Sequence, residues 1–456
     1  MGGFHDQLSH GSMEEFDFVA ESPPPANGSL VASADTSPEE CSGFFHLSLG
    51  ATRPRLNQAS HDPPQDPSHS MRTRQFVSLV ALGLVAAQSA TAQARTASGS
   101  RAGLSWSATS SIVGVNPSAT VAGGGDARYI PTDPKYAGVV AIIMDYGPGV
   151  GAFICSGTLL PDRRSILTAA HCVTNGPTLA RPITTTVYFS PVPIAGDVPI
   201  TSIGNPAYQR SIVRYNVQAA YTGEVIDQND IAVLQMDSDA PAFATAFDIY
   251  TGNASGQNST HLGYGARSTI GGNGGANLGT GRLRQGQNRF DFRLDDSYFG
   301  GFFTAPDPGL GGERFFGFAD PSAVLLTDFD NGLAANNASC RLAAGISGVA
   351  PPARFCDLGR GLDEVGVAGG DSGGPAFFGN LIAGVTSFGL SFGPNFGDID
   401  TRLNSSFGEF SGFTNTSIHA AFIRNSLVPE PSTYLMMATG LLILVVMVRH
   451  RSGSAR

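Results

Sequence analysis

Two short strings, Thr168-Ala169-Ala170-His171-Cys172 and Gly370-Asp371-Ser372-Gly373-Gly374-Pro375, stand some two hundred residues apart in this chain. A serine hydroxyl is a poor nucleophile at neutral pH unless an imidazole takes its proton as it attacks. If the strings act together, the fold must carry one half of the chain onto the other. A third string, Asn229-Asp230-Ile231-Ala232-Val233-Leu234, sets a carboxylate at the mouth of an apolar β-type run. Burial there would let Asp230 hold one imidazole tautomer and stabilise the imidazolium. Taken singly, each string has a bland reading: a structural His or Asp beside an apolar run, and a glycine-rich turn. Their joint occurrence in the order His, Asp, Ser is the argument. Of nine histidines, five (His5, His10, His46, His61, His69) fall in the first seventy residues, and of His171, His261, His419 and His450 only His171 has such a setting.

These strings resemble those of the chymotrypsin-like (trypsin-type) serine endopeptidases, closely around His171 and Ser372, well around Asp230, and loosely elsewhere between about residues 126 and 425. The resemblance implies Ser372 as nucleophile, His171 as general base and then acid, and Asp230 as the orienting carboxylate. It implies an oxyanion hole from the backbone N–H groups of Gly370 and Ser372, which glycine-rich backbone can turn toward one point. Ser387-Phe388-Gly389 resembles the strand that pairs with substrate backbone, and Gly389 and Gly397 would leave a side-chain pocket open. Gly366 stands where tryptic relatives hold a carboxylate, which argues against cleavage after Lys or Arg and for bulky apolar or aromatic side chains; Asp363, Glu364 and Asp398 are the nearby acids. In the family a new α-amino group pairs with the residue matching Asp371; Ile112-Val113-Gly114-Val115 resembles such a terminus in part.

A net charge of −10 and a pI near 5.3 supply no electrostatic reason to bind nucleic acid. Met71-Arg72-Thr73-Arg74, the apolar run Phe76–Ala87 and the small residues of 90–94 read as a signal peptide over 71–94, cut by signal peptidase, with translation expected to begin at Met71. Residues 1–70, rich in Pro, Ser, His and acids, are expected to be a disordered or mis-assigned extension, and 95–125 a linker or propeptide. Cys41 falls in that extension, leaving Cys155, Cys172, Cys340 and Cys356. The resemblance implies a Cys155–Cys172 disulfide, with Cys340–Cys356 as the second pair, in an oxidising compartment. A zinc site is the competing use of four Cys, but no C-x-x-C pair is present, so no metal and no cofactor is expected.

The C-terminal end, 428–453, joins Val428-Pro429-Glu430-Pro431 to an apolar run over 434–448 and the basic Arg449-His450-Arg451. This resembles the PEP-CTERM sorting signal of Gram-negative bacteria, which implies cleavage by an exosortase. It places the protein at the periplasm, envelope or extracellular matrix, transiently anchored by its tail.

Between these addresses, short apolar runs divided by Gly, Ser, Thr and Asn suit antiparallel β-structure. Strands are expected over 139–144, 152–155, 165–168, 184–189, 231–234 and 381–388, and a helix over 418–424. The expected fold is all-β: two packed antiparallel six-stranded β-barrels of the chymotrypsin-like kind, implied by the resemblance, over about 126–250 and 251–427, with a short C-terminal helix. The stretches 263–288 and 302–318 are expected to be enlarged surface loops. Two rivals remain. Gly370-Asp371-Ser372-Gly373-Gly374 also fits G-x-S-x-G, with Asp398 or Asp400 and His419 in esterase order, although Gly373-Gly374-Pro375 would break the helix that such an elbow needs. A protease-like surface or matrix protein without strong catalysis is the other.

Overall fold

A computed structural model of the chain describes residues 96–109, 111–114, 117–174, 181–428, 439–445 and 447. The expected extension 1–70, the signal segment 71–94 and the Pro-Glu-Pro motif lie outside them. Of the expected span 434–448, residues 439–445 are helical; among the described residues no helix is long and apolar enough to cross a membrane.

The described chain opens with a hairpin, β1 (Ala97–Arg101) and β2 (Leu104–Thr109), and a short β3 (Ser111–Gly114). Then come β4 (Val139–Asp145), β5 (Ala152–Leu159), β6 (Ser165–Thr168), β7 (Thr184–Tyr188), β8 (Gln209–Val217) and β9 (Ala232–Met236), which close into a barrel in the order β4-β5-β6-β9-β8-β7. Runs such as Val139-Val140-Ala141-Ile142 are buried on both faces, because β-branched side chains that suit a pleated strand here fill the barrel and also its packing against the second half.

The second half holds β10 (Asn258–Gly263), β11 (Arg284–Arg289), β12 (Phe292–Arg293), β13 (Leu325–Asp328), β14 (Val365–Ala368), β15 (Pro375–Phe378), β16 (Leu381–Ser391) and β17 (Phe410–Asn415). Here the expected second six-stranded barrel needs correction. The sheet is open, running β11-β10-β15-β16-β17-β13-β12, with the β1–β2 hairpin added to β16. Its two end strands are separated only by Phe290 and Asp291, whose N–H groups donate to Gln257 O and Leu326 O, so one bent strand serves opposite ends of the path. β14 leaves the sheet altogether and pairs with β3.

Neither expected surface loop is simply a loop. The stretch 263–288 contains most of β11, and in 302–318 Phe303 and Phe315 are buried in a cluster with Phe292, Phe299, Phe355, Phe392 and Trp106. The C-terminal helix is α2 (Ala420–Asn425), entered through a 3₁₀ turn, Thr416–His419. An unexpected α1 (Ala338–Ser347) starts at Asn337, whose side chain caps the Cys340 N–H, and stops at Gly348 in the left-handed region. The Cys155–Cys172 and Cys340–Cys356 disulfides are both formed.

Candidate active site

His171 lies in a 3₁₀ turn directly after β6, and Asp230 just before β9; β6 and β9 are neighbours, so the barrel itself places the two side by side. His171 Nδ1 is 2.6 Å from Asp230 Oδ2, and the His171 backbone N–H donates to Asp230 Oδ1 at 2.8 Å. Strands of the second half complete the cage: Ser387 Oγ of β16 donates to Asp230 Oδ2 at 2.5 Å, and Thr414 Oγ1 of β17 donates to the Asp230 carbonyl at 3.0 Å. Burial alone would push Asp230 up, but the charge of His171 and the hydrogen bonds from His171 and Ser387 outweigh it and hold the carboxyl below its usual range.

Ser372 sits on the loop between β14 and β15, and that loop is tied to the first barrel through Ser156 of β5. The Ser156 N–H donates to Ser372 O at 2.8 Å, and Ser156 Oγ donates to Gly370 O at 2.8 Å while accepting from the Tyr264 N–H. Cys172 Sγ, next to His171 in sequence, lies 3.6 Å from Ser372 O. The fit leaves no space for a side chain at Gly373 (φ +82): a Cβ there would fall 2.0 Å from Thr168 Oγ1 and 2.4 Å from Ser156 O. Gly370, at φ +105, also takes a backbone shape that L side chains rarely adopt. The Ser372 hydroxyl is buried and has no hydrogen-bond partner among the described residues. Native structures rarely leave such a group unmatched without a chemical reason.

Asp371 turns away from this site. Its carboxylate accepts from the Gly265 N–H at 2.8 Å and the Ala368 N–H at 3.1 Å, and burial pushes it well above the ordinary carboxylate range. β14, which leads into Asp371, pairs with β3, Ile112 lying opposite Val367 and Ser111 opposite Ala368.

Among the expected substrate residues, Ser387, Phe388 and Gly389 lie together on β16, whose next residues are already paired: Gly389, Leu390 and Ser391 face Thr109, Ala108 and Ser107 of β2. Gly366 in β14 packs against the Phe329 ring, and Gly397 lies against the backbone of Asn336 and Ala338. Asp363 pairs with Arg128, Asp398 accepts from Ser391, and Glu364 is buried with Asp328 and Asp330. His419, the esterase candidate, binds Gln228 O through Nε2 at 2.7 Å and Gln218 through Nδ1, so both ring nitrogens are engaged elsewhere. Sequence reasoning missed Ser156 and Thr414 as supports, since each is one small polar residue among several in its strand.

Residues 135–286 match the trypsin family. The match takes in His171 and Asp230 and stops before Ser372. No curated protein matches. Solved structures similar to the chain include neuropsin, a serine protease expressed in the limbic system of mouse brain (15% identity, TM-score 0.39), and HL collagenase (16% identity, TM-score 0.39). Each comparison covers 66% of this chain and 98% of the other. The likeness to the trypsin family is thus carried by residues 135–286, the closed barrel and the first strands of the second half.

Proposed function

We propose that the chain is an exported serine endopeptidase that hydrolyses peptide bonds through Ser372, His171 and Asp230. The observation that carries this reading is the short His171–Asp230 contact beside a loop that presents a buried, unpartnered serine hydroxyl. Ser372 Oγ attacks the peptide carbonyl carbon while His171 takes its proton, and Asp230 holds the imidazole by Nδ1 and stabilises the cation so formed. The backbone N–H groups of Gly370 and Ser372 receive the oxyanion. Collapse of the tetrahedral adduct breaks the C–N bond, His171 returns the proton to the departing amine, and water hydrolyses the acyl-serine by the same route.

Residues 95–111, the first part of the expected linker or propeptide 95–125, act in this reading as a propeptide. A peptide binds such a site by adding a strand to the open edge of β16, and β2 already holds that edge at Gly389–Ser391. Cleavage between Ser111 and Ile112 would free β2 from β3 and create an α-ammonium on the strand paired with β14, which leads into the buried Asp371 carboxyl. Two disulfides agree with an oxidising compartment outside the cytoplasm. The signal segment 71–94 and the PEP-CTERM-like tail 428–453 would direct export, sorting by an exosortase-type enzyme and transient membrane anchoring. Substrates would be proteins or peptides with a bulky apolar or aromatic residue before the scissile bond, tested on peptides differing only there.

Labelling of the exported chain by a fluorophosphonate tests the core of the proposal. Covalent label lost in Ser372→Ala and strongly slowed in His171→Ala is expected. Label that survives His171→Ala and disappears in His419→Ala would replace the peptidase by an esterase.

A further inference from the structure

Four carboxylates that take no part in the candidate active site are buried together in the second half: Asp291, Asp328, Asp330 and Glu364. Asp328 ends β13, Asp330 follows two residues later, and Glu364 immediately precedes β14, so three points of the chain meet here. The oxygens that Asp328, Asp330 and Glu364 can offer lie within 4.8 Å of one another.

Three of these six oxygens have backbone donors. Glu364 accepts from the Asp330 N–H at 2.7 Å and from the Arg360 N–H, and Asp328 Oδ2 accepts from the Ser339 N–H at 2.9 Å. Asp330 differs. It is only 2% exposed, its Oδ1 has no hydrogen-bond partner, and its Oδ2 has one long contact, 3.5 Å, to the Asn337 amide. Its electrostatic neighbours are Asp328, Glu364, Asp291 and Asp357, so the orphan oxygen belongs to a carboxylate facing other acids. A buried charge with neither donor nor counter-ion is strongly disfavoured. Two guanidinium groups reach the cluster: Arg360, bonded to Asp357 at 2.5 Å, and Arg289, 3.7 Å from Asp291. Five carboxylates face two cations. The backbone also closes over the acids at Gly359 (φ +85), where a Cβ would fall 1.8 Å from Glu364 Oε2.

We propose that Asp328, Asp330 and Glu364 are ligands of a divalent cation, and that the cation is calcium. Two oxygens on one ion can be no farther apart than twice the ion–oxygen distance, which is about 4.6–5.2 Å for calcium and about 4.2 Å for magnesium. The set lies within the calcium limit, and buried cages built wholly from protein oxygens are typical of calcium, whereas magnesium keeps several waters. The proposal goes beyond the peptidase reading and does not depend on it. It connects to it through the chain, since Glu364 leads into β14 and β14 into Gly370 and Ser372.

The test titrates calcium chloride alone, with magnesium chloride as control, into the full-length chain carrying Ser372→Ala after EDTA treatment, by calorimetry and by thermal melting. One equivalent is expected to bind with a Kd on the order of 10⁻⁴ M, as in extracellular calcium modules, and to raise the melting temperature. Asp330→Asn should weaken binding at least about tenfold, the loss of a charged ligand, yet melt no lower than its parent in EDTA, because a neutral amide needs no counter-ion in the buried site. A purely structural Asp330 would give the opposite EDTA result. No binding heat and no melting shift at about 10 mM calcium, or a shift that survives in Asp330→Asn, overturns the site. An equal response to magnesium overturns the choice of ion. If Asp330→Asn does not fold, Glu364→Gln takes its place, with loss of the calcium response supporting the site and retention refuting it. Because the nucleophile is absent throughout, a failure here and a failure of the peptidase reading are separate results.

Discussion

Trp106 is the only tryptophan of the chain, and it lies on β2, where the proposed propeptide covers the edge of β16. The inward face of β2 is Leu104, Trp106 and Ala108, all buried, with Trp106 8% exposed and edge-on to Phe316 at 5.1 Å. An indole buries on the order of 200 Å², worth ~5 kcal/mol at most by area, and truncating a buried aromatic to alanine costs about 3–5 kcal/mol. If at least ~3 kcal/mol of that is lost from the docked hairpin alone, Trp106→Ala should raise the fraction of chains with an open β16 edge about a hundredfold, since each 1.4 kcal/mol is a factor of ten. Trp106→Phe, which keeps most of the buried area, should raise it far less.

The assay compares two active-site labels on the uncleaved chain: a small fluorophosphonate, which needs only Ser372 and His171, and an extended peptidyl phosphonate, which must also pair with Gly389. Trp106→Ala should speed the extended label by about two orders of magnitude and leave the small one within a few-fold, the free-energy difference acting on the edge alone. Acrylamide quenching of Trp106 in the parent chain reports whether the hairpin is docked. Equal acceleration of both labels would mean general loosening, and no acceleration of either, with Trp106 protected in the parent, would refute blockade by β2.

Asp230→Asn should leave the fold intact and lower kcat by about 10⁴, because an amide at Oδ2 imposes the wrong imidazole tautomer; a loss under tenfold in a steady-state peptidase assay would contradict the assigned role. His261 is buried beside Phe290 and Phe413, and desolvation lowers its pKa to about 3. The folded protein therefore refuses a proton that the unfolded chain accepts near pH 6.5, so stability present above that pH is lost as pH falls toward 3, at about 1.4 kcal/mol per pH unit. Urea unfolding of wild type and His261→Phe between pH 7 and 5 should show the wild type losing ground to the variant at that rate, and parallel pH profiles would remove His261 as the cause.

What could be read from sequence followed the physics of each strand. β4, β5, β6, β7 and β9 are runs of β-branched and apolar residues filling a closed barrel, and the expected boundaries fall within a few residues of the observed ones. β11, Arg284-Arg289, was invisible because it has no apolar alternation at all. Its buried side chains are polar and satisfied at a distance: Arg284 by Asp197 and Ser118 O, and Asn288 by Asp328 O and Val365 O. Periodicity cannot detect a strand whose inward face is paid for by partners from other segments. The same limit hid the acid cluster, whose members come from β13, the turn after it and the approach to β14. By contrast β2, Leu-Ser-Trp-Ser-Ala-Thr, alternates cleanly, yet it falls inside the segment read as a linker or propeptide and was not among the expected strands, and only the fold shows which edge it covers.

The segment 364–372 is where these strands of argument meet. Its entry is Glu364, buried among acids; its exit is Asp371, a buried carboxylate with only N–H donors; and its middle, β14, leaves the main sheet to pair with β3. This stretch buries a carboxyl group without a counter-ion at each end and takes its only strand partner from β3, so few of its stabilising contacts are its own. It also holds Gly370 and Ser372, whose backbone must be aimed for catalysis. A cation at one end and an α-ammonium at the other would each remove one source of that instability, so the two effects should reinforce one another: calcium should tighten the docking of Ile112 after cleavage, and cleavage should tighten calcium, by the same factor. Calcium affinities measured before and after cleavage at Ile112 test this, and identical values would mean that the two ends of β14 are energetically independent.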